Sequence, residues 1–119
     1  MTDGERDLSR LLATLAPRLY EERYTFEVAD KPALSADVFA LIREKEAVTA
    51  VRVTPCGEWA RISLGVHSSL EAVGLTAALS NALAAKGISA NVVAGLNHDH
   101  IFVPWDFRID ALQAIRALA

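Results

Sequence analysis

Three stretches of this chain carry side chains able to do chemistry: His67-Ser-Ser-Leu-Glu71, Gly95-Leu-Asn-His-Asp-His100, and the turn holding the single cysteine, Cys56. In the first, Ser68 followed three residues later by Glu71 has the form of a capping box, which marks a helix start. Backbone N–H groups there are poised for a carboxylate, the positive end of the helix dipole adds attraction, and the Ser68 and Ser69 hydroxyls supply further donors. The plainer reading is that Ser68 caps the helix and His67 ends a strand. In the second stretch, His98 and His100 on an extended strand point one way and Asp99 the other. Together with His67 they offer three imidazoles, the number that a catalytic zinc site can use. Neither H-E-x-x-H nor a paired Cys/His spacing accompanies them. A structural cluster, with the histidines bonding loop carbonyls or a partner module, is therefore the better-supported reading, and contact with a small ligand stands between the two.

Other chemistries find less support. Gly95-Leu-Asn lacks both the G-x-G-x-x-G and the Walker spacing, so Gly95 and Asn97 read as turn residues. Cys56 has no thiolate-stabilising neighbour in sequence. Neither Ser68 nor Ser69 sits in a G-x-S-x-G elbow. No pair of carboxylates is spaced for acid–base work. No catalytic residue, metal or cofactor is expected.

The elements that position these residues follow from periodicity. Alternation puts Ile62, Leu64 and Val66 on one face of a strand, Ile88, Ala90 and Val92 on one face of another, and Ile101 and Val103 on one face of a third. Between the first two, the spacing predicts a helix over Leu70–Lys86 with Leu75, Leu79, Ala82 and Leu83 on one stripe. Gly87 is placed to end it in the left-handed region. A helix with one apolar stripe and strands with one apolar face satisfy each other by packing. Ser63, Arg61, Asn91 and Phe102 share the other sheet face. Covering by another half suits that face, since Phe102 and Trp59 are costly to leave wet together.

Upstream, Asp7 is placed to cap a short helix with Leu8, Leu11, Leu12 and Leu15 at helical spacing, and Pro17 limits its continuation. Tyr24–Val28 reads as a strand with Tyr24, Phe26 and Val28 inward. Asp37–Glu44 reads as a strand apolar on both faces and so internal to the sheet. Ala47–Val53 follows as its hairpin partner across an exposed Glu44-Lys-Glu46 turn. Pro55-Cys-Gly57 is the expected seam between an N-terminal half, residues 1–56, and a C-terminal half, residues 57–119. After Pro104, Asp106 is the expected N-cap of a last helix carrying Ala111, Leu112, Ile115 and Leu118. The second block is most of a βαββαβ plait lacking its closing strand, a place that a strand from the first half could fill; left open, such an edge invites pairing with another chain.

Composition narrows the function classes. The chain has 119 residues, 52% hydrophobic, enough for a real interior. A net charge of −3 gives no polybasic surface, so nucleic acid is not an expected partner. No apolar run approaches the ~20 residues that span a bilayer, so no membrane is expected either. The acidic start is unlike a signal peptide, and one cysteine permits no internal disulfide, which together point to the cytoplasm.

Ile62-Ser-Leu-Gly-Val-His-Ser-Ser-Leu-Glu-Ala-Val-Gly-Leu-Thr-Ala, with Asn91-Val-Val-Ala-Gly and His98-Asp-His-Ile-Phe-Val-Pro, resembles the ACT domain superfamily. Within it, the chain is similar to a small bacterial family with two ACT-like halves, the resemblance being strongest from Val38 to Leu118. It implies an α+β, ferredoxin-like fold: an antiparallel sheet with helices packed on it. It also implies side-by-side pairing, open to a homodimer, and binding of an amino acid or similar small molecule, with a regulatory rather than catalytic role. The ligand position implied is the loop after the first strand with the adjoining helix start, Val66, His67, Ser68, Ser69, Leu70 and Gly74. The opposite wall is then expected from Asn91, Gly95, Asn97, His98 and His100. Two other readings stay open: a ligand-free scaffold for oligomerisation or protein interaction, and a metal-dependent enzyme using His67, His98 and His100.

Overall fold

Strict alternation in the segment Trp59–Leu64 sets the architecture. Ala60, Ile62 and Leu64 are buried on one side of this strand, while Trp59, Arg61 and Ser63 face the other. A computed structural model of the chain describes residues 4–119. It contains helix α1 (Leu8–Ala13), strands β1 (Pro17–Leu19), β2 (Tyr24–Val28), β3 (Val38–Arg43), β4 (Val48–Val53) and β5 (Trp59–Leu64), helix α2 (Leu75–Ala84), strands β6 (Asn91–Ala94) and β7 (Asp99–Pro104), and helix α3 (Arg108–Arg116) entered through a 3₁₀ turn at Trp105–Phe107. The seven strands make one antiparallel sheet in the order β3-β4-β2-β5-β7-β6, with β1 also paired to β5.

β1 closes the plait. It pairs with the second half of β5, Pro17 opposite Leu64 and Leu19 opposite Ile62, whereas β2 meets only the start of β5, Tyr24 opposite Trp59. The sub-sheet β1-β5-β7-β6 with α2 and α3 on one face is thus a complete ferredoxin-like βαββαβ unit whose last strand comes from the front of the chain. The expected open position is filled, by a three-residue segment that carries no readable period. The helix-side core joins Leu79 and Leu83 of α2, Ile115 of α3, Ile62, Leu64, Ile101 and Val103 of the sheet, and Leu11 and Leu15 from around α1.

The other face is concave. Tyr24, Val51 and Phe102 are buried there, with Phe26, Phe39, Val53, Trp59 and Val93 packed around them. Phe102 makes edge-to-face contacts with Tyr24, Phe26 and Phe39 at centroid separations of 5.3–5.5 Å. The sheet curls until Phe39 of β3, at one edge, lies 4.9 Å from the His100 ring of β7. The first half therefore covers the second, as the cost of wetting Phe102 and Trp59 requires.

Several expectations are corrected. α2 begins at Leu75, not Leu70, and Ser68 does not cap it. The residue before it is Gly74, with φ 97° and no side-chain cap bond. Asp106 lies inside the 3₁₀ turn, and α3 likewise begins without a side-chain cap. Val28 is exposed, because β2 runs past the concave core at that end. β3 is an edge strand. Its two apolar faces are explained by Phe39 and Ala40 turning to the concave core and Val38 and Leu41 lying under the Ala29–Asp37 connection. Asp7 does cap α1, its Oδ1 accepting from the Arg10 N–H at 3.0 Å, and Gly87 ends α2 with φ 70°.

Candidate functional site

Beyond Leu64 the chain leaves β5 into a loop of ten residues before α2 starts. Two neighbours hold its course. The Gly65 and Val66 N–H groups donate to the Leu15 carbonyl. Residues 4–7 lie alongside it as a strap: the Glu5 N–H donates to the His67 carbonyl at 2.9 Å, and the Ser69 N–H donates to the Glu5 carbonyl at 2.9 Å. Arg6 is ion-paired with Glu71. Gly4 crosses so close that a Cβ there would sit 2.4 Å from the Ser68 carbonyl carbon and the Ser69 nitrogen, which only glycine allows. One of the loop amides expected to face a ligand, that of Ser69, is therefore already engaged by the chain's own front end.

A small concavity of about 100 Å³ opens beside this loop, lined by Ser68, Ser69, Leu70, Ala72, Leu75, Thr76, Ala94 and Asp99. Ser68 is buried, and its Oγ donates to Asp99 Oδ2 at 3.0 Å. The Ser69 hydroxyl accepts from the Glu71 N–H at 3.1 Å and the Ser69 carbonyl accepts from the Ala72 N–H, tightening the loop into a turn. Gly74, in the left-handed region, turns the chain into α2 at a φ that a side chain would strain. The concavity thus presents hydroxyls, loop amides and one carboxylate. Leu70, on its lining, is 67% accessible, and Val73 of the same loop is exposed as well.

The residues expected to contact a ligand divide into two groups. Ser68, Ser69 and Leu70 line the concavity, with Val66, His67 and Gly74 in the same loop. The Gly95–His98 turn, closed by the Gly95 N–H donating to the His98 carbonyl at 2.9 Å, approaches this loop: His98 Nδ1 lies 3.4 Å from the Val66 carbonyl. Asn97, in that turn, is exposed. His100 and Asn91 belong to the other face. His100 Nδ1 is 2.7 Å from Ser63 Oγ, and Asn91 is an exposed residue opposite Phe102. Burial, with the Arg61 charge nearby, holds the His100 imidazole down to about 4, so it is neutral at pH 7. Among the described residues no group of three or more His, Cys, Asp or Glu side chains is arranged to hold a metal ion, so His67, His98 and His100 do not form one centre. Asp99, which sequence reading passed over, is the acidic residue of the concavity. The signal for it was already in the alternation: as the odd member of His-Asp-His, it had to face the helix side.

Comparisons with known proteins place this geometry. Residues 57–118 match a family model described as ACT domain, and residues 3–55 match a second model with the same description. A Vibrio cholerae protein of unknown function, described as a possible transport protein, has a crystal structure 40% identical in sequence, covering 94% of this chain and 95% of its own, with a TM-score of 0.78. The ligand-free regulatory subunit of aspartate kinase from Thermus thermophilus is 12% identical over 90% of this chain and 98% of its own, with a TM-score of 0.67. A protein from Agrobacterium tumefaciens is 15% identical over 80% of each chain, with a TM-score of 0.58. At those last two identities the likeness is one of fold. No protein of curated function matches the chain.

Proposed function

The chain belongs to the ACT domain family, and from that premise we propose that it is a non-enzymatic regulatory module binding a small molecule, by its chemistry an amino acid, at the Val66–Leu75 crossover. The observation that carries this reading is the concavity in which Ser68 and Asp99 meet. Asp99 Oδ2 is engaged by Ser68, which leaves Oδ1 to accept from a ligand ammonium group. A ligand carboxylate is served by the loop amides not drawn into the turn and by the Thr76 hydroxyl. A zwitterion satisfies both ends, whereas a bare anion would meet Asp99 unfavourably. The Thermus structure, a regulatory subunit, is in keeping with such a role.

About 100 Å³ holds only part of an amino acid, and Leu70 stands exposed at its rim, with Val73 exposed in the same loop. A second ACT unit laid against that rim would complete the enclosure, so the working form is read as a pair of chains. The same rim also favours the second reading, in which pairing is the whole function and no ligand enters.

Thermal denaturation with each of the twenty amino acids separates the two. Binding only to the native state adds about 2.7 kcal/mol at a concentration one hundred times Kd, a readily measured rise in Tm. At least one amino acid should raise Tm in the native protein and fail to do so in Asp99→Asn. No rise with any of the twenty would remove the ligand and leave the scaffold.

A further inference from the structure

The concave face holds a second polar cluster that shares no residue with the Ser68–Asp99 concavity. At its centre is Arg61 of β5, half-buried. Its Nε donates to Ser63 Oγ at 3.1 Å and its Nη1 to the Tyr24 hydroxyl at 3.1 Å. Its guanidinium carbon lies 4.0 Å from the Tyr20 ring centroid and 4.2 Å from that of Phe39. These contacts fix the plane of the fork, and none of them carries negative charge. Four side-chain ion pairs occur among the described residues, and Arg61 is in none of them. Among the described residues its Nη2 donates to no acceptor. Since no buried side-chain nitrogen or oxygen among the described residues lacks a partner, that nitrogen reaches solvent.

Arg18 of β1 stands opposite Ser63 in the sheet, which puts its side chain on this same face. Its guanidinium lies 4.4 Å from the same Tyr20 ring, and it too takes part in none of the four ion pairs. Two guanidiniums over one ring repel each other. Aspartate and glutamate outnumber lysine and arginine 15 to 12, so an internal counter-charge was available in the composition, yet among the described residues none is within ion-pair distance of either arginine. The ring quadrupole of Tyr20 attracts each cation without neutralising it.

We propose that Arg61 and Arg18 form a binding site for a small organic dicarboxylate on the concave face of the sheet, beside Tyr20. The free end of the Arg61 fork, Nη2 and the second N–H of Nη1, is a planar pair of donors that matches the two oxygens of one carboxylate. Arg18, itself exposed, meets the other end. Both cations lie within 4.4 Å of one ring, so a ligand a few carbons long reaches both, and Tyr20 and Phe39 provide the apolar wall for its skeleton. The site rests on different residues from the amino-acid site, and Asp99 and His100 point to opposite faces of β7, so each can fail without the other.

Calorimetric titration of the full chain with succinate, and separately with acetate and with inorganic phosphate, tests the assignment. Succinate should bind with one site per chain, at least tenfold more tightly than acetate or phosphate. Arg18→Gln and Arg61→Lys should each weaken it at least tenfold, while Ser68→Ala should leave it unchanged. Should Arg61→Lys not fold, Arg18→Gln decides alone, because Arg18 is exposed. An absence of succinate binding at millimolar concentration overturns the proposal, as does equal affinity in Arg18→Gln. Affinity for phosphate or acetate matching that for succinate overturns the dicarboxylate assignment, and loss of binding in Ser68→Ala would move the ligand to the loop.

Discussion

Burial on the concave face, with Arg61 and then His98 adding like charge and Asp99 only partly opposing them, leaves His100 with a protonation equilibrium near 4 rather than the ordinary 6.5. Between those two values the unfolded chain holds a proton that the folded chain refuses. The stability this group contributes is therefore present above about 6.5 and drains away as pH falls toward about 4. Asp37 acts in the same direction, at lower pH. Bonds from Arg52 and Ser35 hold its carboxyl down at about 2, so its contribution survives to the ordinary 3.8 and is lost only below that. A plot of Tm against pH should thus decline in two separate stages. His100→Gln should flatten the upper stage and leave the lower one standing; an unchanged upper stage would mean that some other group sets it. His100 was visible in the sequence as one of a pair of alternating histidines, but its partner was not. Ser63 lies 37 residues away, and only the β5–β7 register brings its hydroxyl to the imidazole.

Among the elements, the loop between β5 and α2 departs furthest from what its sequence suggests. Ser68 and Glu71 have the spacing of a helix cap, yet the serine hydroxyl turns to Asp99, 31 residues on, and the helix waits until Leu75. A capping box is a local bargain, and a nearby carboxylate on another strand outbids it. The strap of residues 4–7 was equally hidden, since a single bridge from Glu5 to Ser68 leaves no periodic trace. Its contribution is testable. Gly4→Val cannot keep the approach to the Ser68–Ser69 backbone, so the strap should lift away. In hydrogen exchange the Ser69 amide, bonded to the Glu5 carbonyl, should lose protection while the Ile101 and Val103 amides of β7 keep theirs. Retained protection at Ser69 would show that the loop holds its own shape. By contrast, α2 after Leu75 and strands β4, β5 and β7 lie where their periodicity puts them, because each has one face committed to a core and period alone identifies that face, whereas β6 starts only at Asn91 and leaves Ile88 and Ala90 outside the strand.

For the molecule as a whole, the two halves are not separable bodies. β1 is chained to the first half but pairs within the second, and Leu11 and Leu15 beside it enter the core built by α2 and α3. The sequence suggests a seam at Pro55–Gly57, but nothing in a three-residue segment such as Pro17-Arg-Leu announces that it pairs beyond that point. The fragment 57–119 should accordingly show little cooperative unfolding by circular dichroism, whereas the full chain should unfold in one transition with coincident fluorescence and dichroism curves. A cooperative fragment would contradict the dependence on β1. No helix in the described residues is long and apolar enough to cross a membrane. The placement of β1 has one more effect, which concerns synthesis. Pro17–Leu19 and the helix before it leave the ribosome well ahead of Trp59–Leu64, and the nascent segment stays without its partner until that strand has also emerged. Translation therefore delivers a chain whose first part cannot finish by itself, and elongation time sets a lower bound on the interval in which its leucines are uncovered.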